Sequence, residues 1–195
     1  MTDCLAVRMR VVSAGAVGRH MPSAITLDDL AGMMAEDSHG HRYETSPEGA
    51  LSVLPPRDSE HAAIASRLFA WFILAGWPAE QVLQAAGLCI TGPKGDGGRI
   101  PDLTLWSKPQ ACSVWLAITD PLLVIEIVSP GSEAMDEMVK RREYGAAGIS
   151  RYWVVDRDPA QTVTLHHLGP TGEYEVATRM PLAWLLNTAP ADHLG

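Results

Sequence analysis

Apolar residues recur along this chain at two different spacings, which predict a mixture of helices and strands. Residues 55–76 carry the clearest helical pattern, with apolar side chains three and four positions apart. The positions on this apolar face are Ala65, Leu68, Phe69, Phe72 and Ile73. Asp58 or Ser59 can cap the start of this helix, and Gly76 can end it.

Shorter patterns predict the other elements. Thr26 and Asp29 form a capping-box pattern that predicts a helix over residues 26–38. Strands are predicted within residues 41–45, 49–56, 100–106, 122–128, 151–156, 161–168 and 173–180. The pattern over residues 82–90 is ambiguous between helix and strand, and a strand is preferred. In the strand over 100–106, Leu103 and Leu105 alternate with Thr104 and Asp102. The glycine-rich segment "TGPKGDGGR", residues 91–99, is predicted to be a flexible loop.

The order of elements predicts the fold class. Residues 132–148 form a helical pattern, with Ser132 as its cap and Gly148 as its stop, between the strands at 122–128 and 151–156. A strand, helix and strand in this order suggest a right-handed crossover with parallel pairing. We therefore expect an α/β, or mixed α+β, fold.

The length of 195 residues suits one domain with a sizeable core. We assign residues 21–188 to that domain, residues 1–20 to a loose leader, and residues 189–195 to a C-terminal tail.

Charge and cysteine content narrow the functional classes. The net charge of −8 argues against a broad basic surface for nucleic acid, so such a role needs a local cationic patch or a divalent metal. The chain contains no run of 18 apolar residues, and no membrane span is expected. Cys4, Cys89 and Cys112 are widely spaced and match no zinc or disulfide pattern, which favours a reducing, cytoplasmic compartment.

An acid interrupts the most hydrophobic strand. Glu126 lies within the apolar run Leu122–Val128, and Asp102 lies in another predicted strand. Each acid could instead face water at a strand end or pair with a buried arginine. Two carboxylates on neighbouring strands form an oxygen site that suits Mg²⁺. The residue that shares a strand face with Glu126 two positions on is Val128, so the nearest lysine is Lys140 on the following helix.

Helical geometry makes it harder for the Lys140 side chain to reach Asp102 and Glu126. The apolar stripe of Met135, Met138 and Val139 places Lys140 on the flank of an ideal helix, beside Asp136 and Tyr144. Lys140 can reach the two acids only if they lie under that flank. Otherwise it is an exposed lysine that pairs with Asp136.

Several short motifs resemble one family. They are "HRYE" at 41–44, "PPRDSEHAAIASRL" at 55–68, "PD" at 101–102, "EIVSP" at 126–130, Lys140, Tyr144 and "GISRYWVVD" at 148–156. This set is similar to the Uma-two family of restriction-endonuclease-like proteins, in the PD-(D/E)XK nuclease superfamily, over residues 25–185. The resemblance implies a restriction-endonuclease-like core, in which a central mixed sheet is flanked by helices.

The resemblance also implies an endonuclease that hydrolyses phosphodiester bonds. Its catalytic residues would be Asp102, Glu126 and a migrated Lys140, with Mg²⁺, or Mn²⁺ in its place, held by Asp102 and Glu126. His61 is expected near this site and Glu44 at its rim, and the remaining supporting candidates are Asp136 and Tyr144. The expected partners are nucleic acid, with DNA as the substrate, and a second copy of the chain in a homodimer.

Two other functions remain open at this stage. The chain could be a catalytically inert nuclease-fold protein that binds nucleic acid or another protein, which the acidic composition favours. It could also be a metal hydrolase for another phosphate ester. Arg141 and Arg142 follow Lys140 and are expected to point away from the metal or to meet backbone phosphates. His166 and His167 alternate on a strand and cannot share one metal.

Overall fold

A computed structural model describes residues 25–92, 95–129 and 135–195, and of residues 135–137 only the backbone. The predicted leader, the proposed Ser132 cap and the Asp136 side chain therefore lie outside the described part of the chain. The helices are α1 (Leu27–Glu36), α2 (Ser59–Leu74), α3 (Arg141–Ala146), α4 (Leu182–Leu185) and α5 (Ala191–Leu194), with a 3₁₀ turn at Ala79–Gln81 and a π-helical turn at Met135–Lys140. The strands are β1 (Arg42–Thr45), β2 (Leu51–Leu54), β3 (Val82–Gln84), β4 (Gly87–Gly92), β5 (Gly95–Arg99), β6 (Leu103–Trp106), β7 (Trp115–Ala117), β8 (Pro121–Ile127), β9 (Arg151–Val155), β10 (Thr162–Leu168) and β11 (Tyr174–Pro181).

The strands confirm the mixed α+β class and divide into two mixed sheets rather than one. In the described residues, a large sheet has the order β11-β10-β9-β8-β6-β3, and a small sheet has the order β2-β1-β5-β4-β7. Strands β8 and β9 pair in parallel, as the predicted crossover requires. Strand β6 pairs with β8 in antiparallel register, with Leu103 opposite Ile125.

The large sheet separates two cores. One face packs against α2 and carries Leu103 and Leu105 of β6 and Leu123, Ile125 and Ile127 of β8, so the alternation predicted for β6 is confirmed. The other face packs Trp106 and Val124 against the small sheet and against α3. Because side chains alternate along a strand, Glu126 shares this second face with Val124. An acid on this face is therefore held inside the protein.

The described residues of the glycine-rich segment belong to the end of β4 and to β5, so the flexible loop predicted over residues 91–99 is wrong for residues 91–92 and 95–99. Strand β5 lies between β4 and β1, with Thr45 opposite Gly98. A Cβ atom on Gly97 would lie 2.7 Å from the backbone nitrogen of Pro47, and one on Gly98 would lie 2.8 Å from the Trp115 ring. Glycine here permits close packing, which the sequence pattern does not distinguish from a flexible loop.

The capped helices match their predicted starts. Thr26 and Asp29 form the capping box of α1, and Asp58 caps α2 by accepting a hydrogen bond from the backbone N–H of His61. Gly76 follows the C-cap residue of α2, Ala75, and has a positive φ of 94°. The N-terminus of α2, with His61 in its first turn, thereby lies at a fixed position next to the sheet.

Residues near the C-terminus pack on the core that lies between the large sheet and α2. Leu194, in the segment assigned above to a tail, packs against that core, and the Trp71 indole N–H donates to the carbonyl oxygen of Thr188. None of the described helices combines the length and the apolar composition that a membrane span requires.

Candidate active site

Glu126 meets two side chains from the crossover segment. Its Oε1 atom lies 3.0 Å from Lys140 Nζ and accepts a hydrogen bond of 2.8 Å from the Tyr144 hydroxyl. All three residues are buried. Burial, followed by the charges of Glu126 and Glu44, raises the pKa of Tyr144 well above its usual value, so the hydroxyl keeps its hydrogen and donates it.

Lys140 is buried, with only 2% of its surface exposed, and it contacts Glu126 together with Tyr144, so the acids lie under the flank that carries both residues. The segment from Met135 to Lys140 forms a π-helical turn, which changes the angular phase of the residues that follow it. Met138, which was predicted on the apolar stripe, is 71% exposed instead. Residues two positions apart point to nearly opposite sides of a helix, so the buried lysine and the exposed methionine are consistent with each other, and the predicted apolar stripe is wrong at Met138.

Glu44 lies at the centre of this site rather than at its rim. It is fully buried, and its Oε1 atom accepts a hydrogen bond of 3.0 Å from the backbone N–H of Ile100. Lys140 Nζ lies 3.4 Å from its Oε2 atom, so the lysine bridges Glu44 and Glu126. Strand β1 carries Glu44 next to Thr45, whose pairing with β5 places the acid beside Arg99.

A buried arginine and glutamate, both absent from the predicted site, hold this arrangement together. Arg99 donates two hydrogen bonds of 2.7 Å to the two oxygens of Glu143 and also contacts Glu44 at 3.4 Å. Burial lowers the pKa of Arg99, but the hydrogen bonds and charges of Glu143 and Glu44 outweigh it and raise that pKa. Glu143 lies three residues after Lys140, and this spacing could have suggested a shared helix face.

Asp102 is bound by two arginines and a histidine. Its Oδ1 atom accepts hydrogen bonds from the Arg57 guanidinium and lies 3.7 Å from Arg42. Its Oδ2 atom accepts from the backbone N–H of Ile127 at 2.7 Å and lies 2.9 Å from His61 Nε2. Burial raises the pKa of Asp102, but the hydrogen bond from His61 and the charge of Arg57 outweigh it and lower the pKa to about 2. Asp102 is therefore a carboxylate at neutral pH.

His61 has a defined tautomer. An ionised carboxylate only accepts hydrogen bonds, so the Nε2 atom that faces Asp102 carries the hydrogen. In the neutral ring, Nδ1 then has a free lone pair, and this buried atom finds no hydrogen-bond partner among the described residues. The Nε atom of Arg42 is also buried without such a partner in the described part of the chain. Buried polar atoms are usually hydrogen-bonded, so two orphaned atoms beside one carboxylate indicate a place for a polar ligand.

The charges of the described side chains in this cluster balance. Four carboxylates, from Glu44, Asp102, Glu126 and Glu143, are matched by four cations, from Arg42, Arg57, Arg99 and Lys140. Two of the cations surround Asp102 alone, and three of the acids surround Lys140 and Arg99. The cluster therefore has a cationic half at Asp102 and an anionic half at Glu44 and Glu126.

The donor chemistry of the cluster fits a hard divalent cation. Asp102 directly precedes β6 and Glu126 lies on the neighbouring strand β8, so both supply oxygen donors at this place, and Asp102 stays ionised. Among the described side chains, however, no three His, Cys, Asp or Glu residues are arranged as a ready metal site. A cation held by Asp102 would take the place of Arg57 at Oδ1, while Oδ2 keeps its bonds to Ile127 and His61.

Comparison with known proteins agrees with the family resemblance of the sequence motifs. A sequence profile of the family Uma2, described as "Putative restriction endonuclease", matches residues 27–191. The chain belongs to the Uma2 family. This Uma2 chain is also similar to the crystal structure of a protein from Anabaena variabilis ATCC 29413, described as "a putative nuclease belonging to DUF820". The TM-score is 0.57 at 22% identity, over 75% of this chain and 82% of the other, and this likeness shows the fold. No curated protein sequence matches the Uma2 chain.

The structure of this Uma2 chain thus brings together most of the predicted site residues. Glu44, Glu126, Lys140 and Tyr144 form one network, and Asp102 and His61 form a second. The two networks are joined along β8, because Ile127, which donates to Asp102, follows Glu126 in the chain. Sequence reasoning missed Arg42, Arg57, Arg99 and Glu143. Arg57 lies within the quoted motif "PPRDSEH", four residues before His61, where its proximity to Asp102 was not evident.

Proposed function

We propose that this protein is a metal-dependent endonuclease that hydrolyses phosphodiester bonds in DNA. The proposal rests chiefly on one observation, the buried cluster in which Lys140 bridges Glu44 and Glu126 next to the Asp102–His61 pair. Membership of the Uma2 family supports the same reaction class. In this proposal Asp102 and Glu126 hold Mg²⁺, for which Mn²⁺ can substitute. When bound, the ion polarises a phosphoryl oxygen and lowers the pKa of water.

The residues of the chain have distinct roles in the proposed reaction. Hydrolysis forms a P–O bond from water and breaks the ester P–O bond, so water must lose a proton and the leaving oxygen must gain one. His61 can accept the proton of water at Nδ1, because Asp102 fixes the hydrogen on Nε2. The leaving oxygen takes its proton from solvent. Lys140 is an ammonium group between two carboxylates, and its charge offsets the charge that develops on the phosphate.

Arg42 and Arg57 are suited to binding the phosphate. Both side chains are partly exposed, at 17% and 20%, whereas Lys140 and Arg99 are buried. Guanidinium groups bind phosphate oxygens in a two-pronged geometry. If a metal replaces Arg57 on Asp102, the arginine becomes available to the substrate, so metal and phosphate are expected to bind cooperatively.

A plasmid-nicking assay tests this function. We expect nicking with Mg²⁺ or Mn²⁺ and none with a chelator, and we expect Asp102→Asn and Glu126→Gln to lose at least about 100-fold in rate. Glu36→Gln, at an exposed position of α1, is the matched control and should nick like the wild type. Calorimetry should show Mn²⁺ binding that Asp102→Asn weakens. Equal Mn²⁺ binding by both proteins would remove Asp102 as a ligand.

The pairing of Arg57 with Asp102 also favours a second function, an inert nuclease fold that binds nucleic acid or protein. In that case Arg57 occupies the carboxylate permanently, and the wild type neither nicks DNA nor binds Mn²⁺. Arg57→Gln separates the two functions. It should slow nicking in an active enzyme, but in an inert protein it should create Mn²⁺ binding that the wild type lacks. A panel of nucleotide and sugar phosphates tests the remaining alternative, a hydrolase for small phosphate esters.

A further inference from the structure

A polar pocket of about 270 Å³ lies beside the proposed active site on the same face of the large sheet. The register of the strands defines its position. Glu126 pairs with Val154, Val154 with Thr164, and Thr164 with Arg179, and the last three of these residues line the pocket. Adjacent strands are about 4.8 Å apart, so Thr164 lies about 10 Å from Glu126 along this row.

The pocket has an excess of positive charge. Arg141 and Arg179 line it together with one described acid, Asp156. The Arg141 Nη2 atom donates a hydrogen bond of 2.6 Å to the carbonyl oxygen of Tyr174, which fixes the guanidinium at the pocket wall. Arg179 lies on the edge strand β11 and is exposed. One arginine is therefore anchored, and the other is free to approach a ligand from solvent.

The pKa of His166 is affected by both arginines of the pocket. Burial lowers the pKa of His166, and the charges of Arg141 and Arg179 lower it further. Both arginines therefore lie close enough to act on the same imidazole. The ring is fixed as well, because Nδ1 lies 3.1 Å from the carbonyl oxygen of Tyr152 and the ring stacks on Tyr152. The fixed imidazole, the anchored guanidinium of Arg141 and the exposed guanidinium of Arg179 together are suited to an oxyanion.

We propose that the pocket lined by Arg141, Thr164, His166 and Arg179 binds a second phosphate group of the nucleic-acid strand whose scissile phosphate lies at Glu126. This inference rests on the proposed nuclease function and adds a second phosphate-binding position for the same strand. Successive phosphates of one strand are at least the axial rise of about 3.4 Å apart, so a separation of about 10 Å corresponds to at most about three nucleotides. A strand of several nucleotides spans both positions, whereas a small phosphate ester does not. The substrate is therefore a polynucleotide.

The experiment measures binding without catalysis. The full chain in metal-free buffer with a chelator is titrated with a fluorescein-labelled oligodeoxythymidylate of 12 nucleotides at several salt concentrations. Each phosphate contact contributes about 0.7 to the slope of log Kobs against log salt for a single strand. We expect Arg179→Gln to reduce the slope by about 0.7 and to raise Kd about 10-fold at low salt. Arg67→Gln removes the same charge from an exposed position of α2 and should leave both values unchanged.

The outcomes distinguish this inference from the proposed catalysis. If the wild type fails to nick plasmid but Arg179→Gln still lowers the salt slope, the pocket stands and the catalytic function fails. If Arg179→Gln and Arg67→Gln bind the 12-mer with the slope and Kd of the wild type, the pocket does not bind phosphate, whatever the nicking assay shows. Arg141→Gln provides a second test with the same expected direction. Circular dichroism checks that both variants are folded.

Discussion

Arg99 and Glu143 form a buried two-pronged ion pair, with both hydrogen bonds 2.7 Å long. The pair joins β5 of the small sheet to α3, the helix that follows Lys140 and carries Tyr144. Because Arg99 also contacts Glu44, one guanidinium connects the acid at the centre of the site to the segment that supplies its lysine. The geometry of the candidate site thus depends on an ion pair that takes no part in the proposed chemistry.

Breaking this pair should strongly destabilise the fold. Arg99→Met leaves Glu143 buried without its partner, and removal of one member of a buried pair costs about 3–5 kcal/mol. The double variant Arg99→Met with Glu143→Met should lose less, since no isolated buried charge remains at that pair. Urea unfolding followed by circular dichroism measures both losses. Arg67→Met, at an exposed position, is the control, and an equal loss in Arg99→Met and Arg67→Met would contradict the role of the pair.

Lys140→Met should lower the nicking rate by about 100-fold or more. The substitution removes the charge that offsets the phosphate but keeps a side chain of similar length. The burial of Lys140 changes the expectation for stability, because the variant also leaves Glu44 and Glu126 without their shared cation. We therefore expect a measurable loss in urea unfolding together with the loss of nicking. Lys140→Arg should not restore the full rate, since the guanidinium is larger. A Lys140→Met variant that nicks as fast as the wild type would exclude the lysine from the reaction.

Asp102 should make stability depend on pH in acid. Its pKa is lowered from 3.8 to about 2 in the folded state, so its contribution is fully present above about pH 4 to 5 and is lost as the pH falls through 2. The full contribution is about 2 kcal/mol, of which about half is lost by pH 3. The difference in unfolding free energy between the wild type and Asp102→Asn should narrow by about 1 kcal/mol between pH 5 and pH 3. A constant difference over this range would show that the pKa is not lowered.

Two glycines should respond oppositely to the same substitution. A Cβ atom on Gly97 would approach the backbone of Thr45, Ser46 and Pro47 to within 2.7–2.8 Å, so Gly97→Ala should destabilise the protein by about 1–3 kcal/mol. A Cβ atom on Gly32, within α1, meets nothing within 4 Å, and Gly32→Ala should stabilise by up to about 1 kcal/mol. Thermal unfolding of both variants gives the two signs directly. A neutral Gly97→Ala would show that β5 tolerates a side chain against β1.

The sequence predicts the elements around the site better than it predicts the site itself. The apolar run around Glu126 and the capping pattern at Asp58 are local signals, and both elements lie where their patterns place them. The position of Glu44 depends on the pairing of β1 with β5, and the glycines that permit this pairing resemble those of a loop. The inward direction of Lys140 is accompanied by contacts with Glu44 and Glu126, which are 96 and 14 positions away in the chain, and helical periodicity alone does not predict such contacts.

The missed residues have a common cause. Arg57 and Arg99 are recognisable as site residues only through partners 45 and 44 positions away in the chain, Asp102 and Glu143. Long-range ion pairs have no sequence periodicity, so a single sequence does not reveal them. Glu143 is the exception, because its spacing of three from Lys140 was available in the sequence. The ion pairs around the predicted catalytic residues Asp102, Glu126 and Lys140 therefore form only through tertiary contacts.

The bridge from Lys140 to Glu44 has a consequence for the order of folding. These residues are 96 positions apart in the chain, and contacts of large sequence separation form late and slow folding. During synthesis, a chain that has emerged only as far as residue 120 contains Glu44 and Asp102 but neither Glu126 nor Lys140. Hydrolytic activity, on the function proposed above, would therefore begin only when nearly the whole domain has been made and folded, and nascent chains would be harmless to the nucleic acid around them.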